Sequence, residues 1–454
     1  MGHHVDYGKY IAKAPRSMPS NVKMASLGLM VLGIAAAAFG FFTDPLRTGG
    51  AFIVNFMYWA GIAQGGMMLA VALVIVKGRW GRPLKRMCEA FGLMMIPMYL
   101  LLMVFLLAGG LGIYEWTHWS PEEFGHLHKW VYFFGSEPTE GMDHAPFPMF
   151  FVARVGILLA ILIVLDIMFI RISVRSDMGA AKERFGWEPS GLAAALANIG
   201  GWKGEKAEAE AATKKQAALA PLLGVTYACV FTIMAVDLSM SLMPHWFANM
   251  FPAWYFMSCI WSGFVFLAIY SMLFRKTLGI EGAFTPKLYH DLGKLTLGFT
   301  MFWAYTLFAQ YLPIWYGNMT EETVAILIRT ELEPWATLTR VVVMLCFLAP
   351  FAMLTSRGLK KVPAAYLMVT GVLAVGIWLE RFWVNMPSIW MEDTLPLGPV
   401  EVGMTLGFLG MFTYIVVWFL TSVPPLTFTD PYMQADPDHV HVVPSRLKGQ
   451  GHHH

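Results

Sequence analysis

The sequence predicts an all-α protein that crosses a membrane many times. Of its 454 residues, 57% are hydrophobic and 14% are charged, whereas soluble domains carry about 25% charged residues. The apolar residues fall into runs of about 20, the length that a helix needs to span a bilayer. A net charge of +2 gives no reason to expect nucleic acid as a partner. We expect ten spans, at roughly 24–42, 51–76, 90–114, 149–174, 218–241, 252–274, 290–316, 336–356, 362–384 and 399–420.

The distribution of basic residues predicts the orientation of these spans. Cytoplasmic loops are enriched in lysine and arginine. Most of the 32 such residues fall in segments on the side of the amino terminus. Those predicted on the opposite side are Arg47, Lys129, Arg329 and Arg381. We therefore expect a cytoplasmic amino-terminal segment, 1–23, and a cytoplasmic tail, 421–454.

Three similarities between the two halves of the chain predict an internal repeat. Arg154 and Arg340 stand a few residues into spans four and eight. Asp237 and Glu380, in spans five and nine, are each followed by a Met-Pro pair at the same distance. Spans three and seven are each preceded by a proline and start with an acidic residue. We expect two four-helix bundles of the same orientation, as in parallel membrane repeats.

In this arrangement the first bundle is formed by spans two to five, residues 51–241, and the second by spans six to nine, residues 242–384. Residues 24–50, with the first span, and 385–420, with the tenth, are additions at the ends.

The start of span seven carries ionisable residues in an otherwise apolar segment. At about 100° per residue, Asp291, Lys294, Gly298 and Tyr305 share one stripe of a helix. Since ionisable groups are costly in lipid, we expect this stripe to face the protein interior or a wet cavity. Gly298 would let a neighbouring helix approach closely. The alternative is a helix end in the headgroup region, with its charged residues solvated.

The predicted topology separates the other ionisable residues into two groups. Towards the cytoplasm lie Asp166, His290, Asp291 and Lys294. The outer-leaflet cluster comprises Arg154, Asp237, His245, Arg340, Glu380, Arg381 and Glu401. Two charged vestibules with a polar bridge are typical of a proton path, and we hypothesise one through Asp166, His290, Asp291, Lys294 and Tyr305.

Structural ion pairs are the alternative role for the buried charges. We expect Arg154 to pair with Asp237, and Arg340 with Glu380, once in each bundle. Asp166 would then need a partner, for which the lysine of span seven is one candidate. In that case the pairs would join helices and carry no proton.

The sequence predicts no catalytic residue, metal site or prosthetic group in this chain. The four cysteines form no CxxC pair, and no two histidines lie suitably within spans to hold a haem. The loop 115–148 contains His118, His126, His128 and His144, but this spacing is a weak metal signature. Its acidic and aromatic residues favour docking of a partner outside. On the cytoplasmic side, the loop 175–217 contains EKAEAEAATKKQAALA, which predicts a short surface helix.

Two segments resemble a known family. Residues 290–323, HDLGKLTLGFTMFWAYTLFAQYLPIWYGNMTEET, and residues 234–256, MAVDLSMSLMPHWFANMFPAWYF, resemble the F subunit of bacterial alternative complex III. That subunit is a member of the NrfD and polysulfide-reductase type of membrane proteins, whose ten-span layout and repeat are similar to those predicted here.

The resemblance implies a role in respiration. Alternative complex III of the bacterial inner membrane passes electrons from quinol to a periplasmic cytochrome c or an equivalent carrier. Its haem c and iron–sulfur clusters lie in periplasmic subunits. The C subunit, which is homologous to the F subunit, is assigned the quinol site. The resemblance implies these partners, lipid and, as a further candidate, a terminal oxidase. The F subunit itself is regarded as a structural partner and a candidate proton conductor.

Two other functions remain open from the sequence. The chain could be the quinone-binding anchor of a periplasmic molybdo- or iron–sulfur reductase of the polysulfide reductase type. Such an anchor needs polar groups at the quinone head, and Asp237 with His245 is the best local candidate. A stand-alone secondary transporter is also compatible with a repeat, although the aromatic outer loop favours a docked partner.

Overall fold

The computed structural model describes residues 7–124, 129–138, 145–246, 248–390 and 392–434, without the side chain of Glu321. This part of the chain is mainly helical and contains no strand. Its long helical rods, α1 to α10, are Ser20–Thr43, Pro45–Ile75, Arg82–Leu107, Met149–Phe185, Glu205–Leu238, Phe251–Phe274, Pro286–Gly317, Trp335–Thr355, Pro363–Asn385 and Pro399–Ser422.

Nine of these rods, all except α7, are long and apolar enough to cross a membrane, counted over the described residues. The prediction of an all-helical, multi-pass membrane protein is thereby confirmed. The rod α7 is the exception although it has 32 residues. Its middle part contains several threonine, tyrosine and tryptophan residues and Gln310, which lower its mean hydropathy.

Shorter helices join the rods or flank them. The α-helical ones are Gly8–Lys13, Pro121–Phe124, Trp130–Phe134, Gly191–Ala197, Thr320–Thr330, Arg357–Lys361 and Pro431–Gln434. Single 3₁₀ turns lie at Gly110–Ile113, Glu115–Thr117, Met240–Leu242, Glu281–Ala283 and Met386–Ser388. Within the rods, α3 begins with a 3₁₀ turn, Arg82–Leu84, and α8 contains a π-helical segment, Met344–Leu348.

The prediction of a separate surface helix between spans four and five is wrong. Residues of EKAEAEAATKKQAALA form the first half of α5, which runs without interruption from Glu205 to Leu238. Alanine, glutamate and lysine are strong helix formers, so the helix extends past the apolar run. Similarly, α4 continues to Phe185, where Gly186 takes the left-handed conformation that often ends helices.

Close contacts between glycines bring the central rods together. A side chain at Gly65 of α2 would overlap the backbone of Cys259 in α6, and one at Gly263 of α6 would overlap Gly65. The rods α1 and α10 meet in the same way at Gly33 and Gly407. Small residues allow such approach between membrane helices. Nearly all of α2 is buried as a result, which makes it the central rod of the molecule.

The neighbours of each rod follow a regular order. In the first half, α2 contacts α3 and α5, and both of these contact α4. In the second half, α6 contacts α7 and α9, and both of these contact α8. The two halves meet mainly along α2 and α6, with α1 and α10 packed together beside them.

Polar contacts identify the two ends of the bundle. At one end, the terminal side, Arg16 donates to the carbonyl of Phe185 at 2.9 Å, and Asp430 contacts α3. At the opposite end, the far side, Arg47 of α2 contacts Glu401 of α10. The chain therefore enters and leaves the bundle on the terminal side.

The segment after α3 packs its aromatic residues against the far side of the first half. Trp116 stacks on Phe133 with ring centroids 4.1 Å apart, and Phe124 lies edge-on to Trp130 at 5.1 Å. All four side chains are buried. These four aromatic residues thus form an internal cap, and docking of a partner at this loop stays a prediction.

Candidate functional site

Asp166 is a buried carboxylate in the middle of α4. It is 1% exposed. Gln64 of α2 donates from Nε2 to its Oδ1 at 3.1 Å. The second carboxylate oxygen, Oδ2, and the amide oxygen of Gln64 have no partner in the described structure. A carboxylate in an apolar interior, with one oxygen free, can take up and release a proton if water reaches it.

The predicted partnership between Asp166 and Lys294 is wrong. Lys294 contacts Asp291 at 2.8 Å, one turn away on its own helix, and its side chain is 58% exposed. The physical reason is the position of α7, which packs on α6 and α8 in the other half of the molecule. The lysine therefore does not approach α4.

Two further polar residues of α4 continue from Asp166 towards the terminal side. Ser173 and Asp177 follow it by 7 and 11 residues and lie on the same helix face. All three side chains are buried. Ser173 lies close enough to Glu89 of α3 to interact with its carboxylate, whose Oε1 has no hydrogen-bond partner among the described residues. This face thus leads from the middle of α4 into a group of charged residues.

That group is a buried ion network at the terminal side, formed by Arg82, Lys85, Arg86, Glu89, Asp177 and Asp430. Arg86 bridges Glu89, at 2.5 Å, and Asp177. Three cations and three carboxylates balance in charge, which is the condition under which buried ions are tolerated.

Asp430 connects the chain segment after α10 to this network. Its Oδ2 lies 2.7 Å from Arg82 and 2.9 Å from Lys85. Burial opposes its ionisation, but attraction to Lys85 and Arg82 outweighs burial and holds the pKa of Asp430 below its ordinary value. Lys85 also donates to Gln216 of α5 at 2.7 Å. The network therefore joins α3, α4, α5 and the carboxyl-terminal segment.

The sequence does not predict this network, because Arg82, Lys85 and Arg86 precede the predicted start of span three and fall in a predicted cytoplasmic connection. A signal was present in the spacing of Arg86 and Glu89, which places both on one face of a helix. Asp177 lies beyond the predicted end of its span. Without the helical continuation of α4, nothing in the sequence brings it near Arg86.

At the far side of the first half, the predicted pair of Arg154 and Asp237 is confirmed. The guanidinium binds both carboxylate oxygens, at 3.0 and 2.9 Å. Tyr132, from the loop after α3, donates to the same carboxylate at 2.7 Å, and its ring lies 4.0 Å from the guanidinium carbon. Burial and the nearby carboxylate raise the pKa of Tyr132, so its hydroxyl stays protonated as a donor.

The corresponding pair in the second half, Arg340 with Glu380, is not formed, and that prediction is wrong. Arg340 is 72% exposed and lies 3.6 Å from Glu333. Glu380 is buried and binds the neighbouring Arg381 at 2.8 and 2.7 Å. The side chain of Arg340 points away from α9. Arg381, which lies on α9 next to Glu380, takes its place as the partner of Glu380.

Arg381 lies in the interior between the two halves rather than at the outer edge predicted for it. Besides Glu380, it contacts Ser258 of α6 at 2.5 Å and lies 4.6 Å from the ring centre of Tyr255. Its distance to the sulfur of Cys259 is 3.8 Å. Cys259 packs against Gly65, next to Gln64. Gln64 and Arg381 therefore both lie beside the close contact between Gly65 of α2 and Cys259 of α6.

The two remaining members of the predicted outer cluster have separate surroundings. Glu401 is buried and binds Arg47 at 2.7 and 2.8 Å, and it caps the start of α10 through the amide of Gly398. His245 is exposed, with its ring 5.6 Å from that of Trp119. In the described structure His245 forms no hydrogen bond with Asp237, whose carboxylate oxygens are bound by Arg154 and Tyr132.

The charged stripe of α7 faces outwards, and the prediction that it faces the interior is wrong. Tyr305 is 65% exposed, and an added side chain at Gly298 would meet nothing within 4 Å. Asp291 pairs with Lys294 near the start of the helix, as in the alternative of a helix end among headgroups. His290 is buried, with Nδ1 at 3.7 Å from Asp291. The structure thus brings His290, Asp291 and Lys294 together, but neither Asp166 nor Tyr305 joins them.

Within the described part of the chain, no three histidine, cysteine, aspartate or glutamate side chains are grouped so as to hold a metal ion. His126, His128 and His144 of the predicted outer loop lie outside the described residues. A scan of protein-family models finds no match to this sequence, and a search of curated proteins finds none either.

Proposed function

We propose that this chain is a non-redox integral membrane subunit of a quinol:cytochrome c oxidoreductase, or of a complex with an equivalent periplasmic acceptor. In this role it resembles the F subunit of alternative complex III. It supports the assembly and carries a proton path. The resemblance of residues 234–256 and 290–323 supports this proposal, together with an all-helical multi-pass fold.

The proposed architecture has ten spans, with α7 as the tenth membrane-crossing rod. Its 32 residues would extend about 48 Å at 1.5 Å per residue, more than the thickness of a bilayer core. Two four-helix bundles, α2 to α5 and α6 to α9, are supported by the same order of neighbours in each. Placing both termini in the cytoplasm follows from the excess of lysine and arginine on the terminal side.

The observation that carries the proton path is the free oxygen of Asp166. Placing an ionised carboxylate at the middle of a bilayer costs ~2.5–3.5 kcal/mol even on lenient scales. Only one amide, from Gln64, offsets this cost among the described residues. If Asp166 served only to pack helices, a neutral residue of similar size could do so without the cost of burying a charge. We infer that Asp166 exchanges a proton with the terminal-side network through Ser173, with water bridging the gaps.

The outward face of α7 supports membership in a larger membrane assembly. Lys294, Gly298 and Tyr305 are all on this face, and a small residue permits close approach of a helix from another subunit. We propose the homologous C-type subunit as the neighbour there. Haem c and iron–sulfur clusters would be supplied by periplasmic partners, with quinol bound elsewhere in the complex, and lipid or a terminal oxidase at the remaining membrane surface.

Purification through a tag on this chain tests the proposed membership. In a mild detergent, the chain is expected to bring haem-bearing partners and quinol oxidation activity with it. A stand-alone transporter would be recovered without them, and that result would exclude the proposal.

Gly298→Leu is expected to weaken the association while the chain itself folds normally, because the added side chain points into open space. Gly371→Leu, on α9, is the matched control, since a side chain there also meets nothing within 4 Å. We expect the haem recovered per tagged chain to fall at least severalfold for Gly298→Leu and to stay unchanged for Gly371→Leu. Equal recovery from both variants would place the partner on another face.

A further inference from the structure

A cavity of about 410 Å³ lies in the second half of the molecule, towards the far side. Its walls come from α6, α7, α8, α9 and the helix Thr320–Thr330. Phe308 and Tyr311 of α7 line it and are themselves exposed. The cavity therefore opens on the membrane-facing surface of α7. Its volume lies within the range of small-molecule sites, about 300–1,000 Å³.

Most of the wall is apolar, but several polar groups in it lack partners. The indole nitrogens of Trp246, Trp254 and Trp303 have no hydrogen-bond acceptor in the described structure, and Oε1 of Gln310 has no donor. Trp254 and Trp303 are almost completely buried. An unpaired buried donor costs free energy. These unpaired atoms lie within the wall and are not in contact with the open space of the cavity, so the polar group that can decide the ligand is a charged one.

Arg329 adds a positive charge to this wall. It is 6% exposed and donates to the backbone carbonyls of Ala325, Trp383 and Val384 and to Ser388. No carboxylate pairs with it among the described side chains. Burial lowers the pKa of Arg329 to about 10. The carbonyls at the end of α9 offset part of the charge, and the remainder favours an anionic ligand.

We propose that this cavity binds one anionic phospholipid, with its phosphate against Arg329 and one hydrocarbon chain between the aromatic walls. The opening towards the membrane gives a lipid direct entry, and the positive charge of Arg329 in the cavity wall matches the negative charge of a phosphate. The proposal goes beyond the role suggested above for the whole chain and does not depend on it.

Binding of phosphatidylglycerol to the delipidated protein, with whatever subunits accompany it, tests this site. Tryptophan fluorescence can follow the titration because four tryptophans line the cavity. Lipid phosphorus retained after gel filtration gives the stoichiometry. We expect saturable binding of one lipid per chain, no effect of glycerol phosphate, and weaker binding of phosphatidylcholine. Binding of glycerol phosphate instead would indicate a free-phosphate site and overturn the assignment to lipid.

Two variants remove the site in different ways. Arg329→Gln is expected to weaken binding about tenfold, as for loss of a charged hydrogen bond. Ala304→Trp should fill the cavity from α7 and abolish binding, while it leaves the contacts of Arg329 intact. This variant therefore still tests the site if Arg329→Gln fails to fold. Arg340→Gln removes the same charge from an exposed position nearby and should have no effect.

Equal phosphatidylglycerol binding by wild type and Ala304→Trp would contradict the proposal, as would binding that does not saturate in any variant. Tighter binding of decylubiquinone than of phosphatidylglycerol would also contradict it, because a charged phosphate should gain more from Arg329 than the neutral carbonyl of a quinone does.

Discussion

Replacing Arg86 with leucine is expected to prevent recovery of the folded chain. Arg86 is completely buried and is the only described cation that touches both Glu89 and Asp177. Without it, two carboxylates remain in the interior with no direct counter-charge. Breaking one buried pair costs ~3–5 kcal/mol, while the whole stability of a protein is only ~5–15 kcal/mol. We expect little monodisperse protein in detergent, measured by gel filtration of equal membrane amounts.

Two comparisons separate charge burial from other effects of this change. Combining Arg86→Leu with Glu89→Leu and Asp177→Asn removes all three charges and should restore much of the yield. Arg184→Leu breaks the pair of Arg184 with Glu205, which is partly exposed, and exposed pairs contribute ~0–1 kcal/mol. If Arg86→Leu is recovered as well as Arg184→Leu, the network does not stabilise the fold as described.

Replacing Arg381 with methionine is expected to give the second-largest loss. Methionine keeps much of the side-chain length but leaves Glu380 buried without its cation, and Ser258 loses its donor. The expected cost is again ~3–5 kcal/mol, seen as a marked fall in the thermal unfolding midpoint in detergent. Since Arg381 lies where the two halves meet, the loss should also reduce the cooperativity of unfolding.

Adding Glu380→Gln to Arg381→Met is expected to restore stability, because no buried charge then remains. Substituting a buried ion pair by neutral residues is often harmless or stabilising. Arg340→Met, at the exposed arginine that was predicted to bind Glu380, is the matched control and should change the midpoint little. A double variant less stable than Arg381→Met alone would show that Glu380 has another partner.

The rods themselves could be predicted from the sequence because each apolar run is about a bilayer thick. Their ends could not. The helix formers of residues 205–217 continue α5 well outside its apolar part, and this extension is invisible to a count of apolar residues. The buried network at the terminal side depends on such extensions, since Asp177 lies on one of them.

The position of a charged residue along the membrane normal was easier to predict than the direction in which its side chain points. Arg154 and Asp237 have matching depths and do pair. Arg340 and Glu380 also have matching depths, yet they face apart. The spacing of Asp291, Lys294 and Tyr305 correctly places them along one stripe of α7, but the periodicity does not say which way that stripe points. The direction in which the stripe faces is determined by the packing of α7 on α6 and α8, which leaves the stripe on the outer surface.

The central claim, that Asp166 takes part in proton movement, is tested most directly by Asp166→Asn in the purified complex reconstituted into vesicles. Asparagine keeps the size and can still accept from Gln64, but it cannot carry a proton. We expect normal assembly and a lower number of protons released per electron, with recovery in Asp166→Glu and no change in Asp393→Asn, an exposed control. Normal assembly with an unchanged number of protons per electron would contradict the claim and leave Asp166 a role in packing alone.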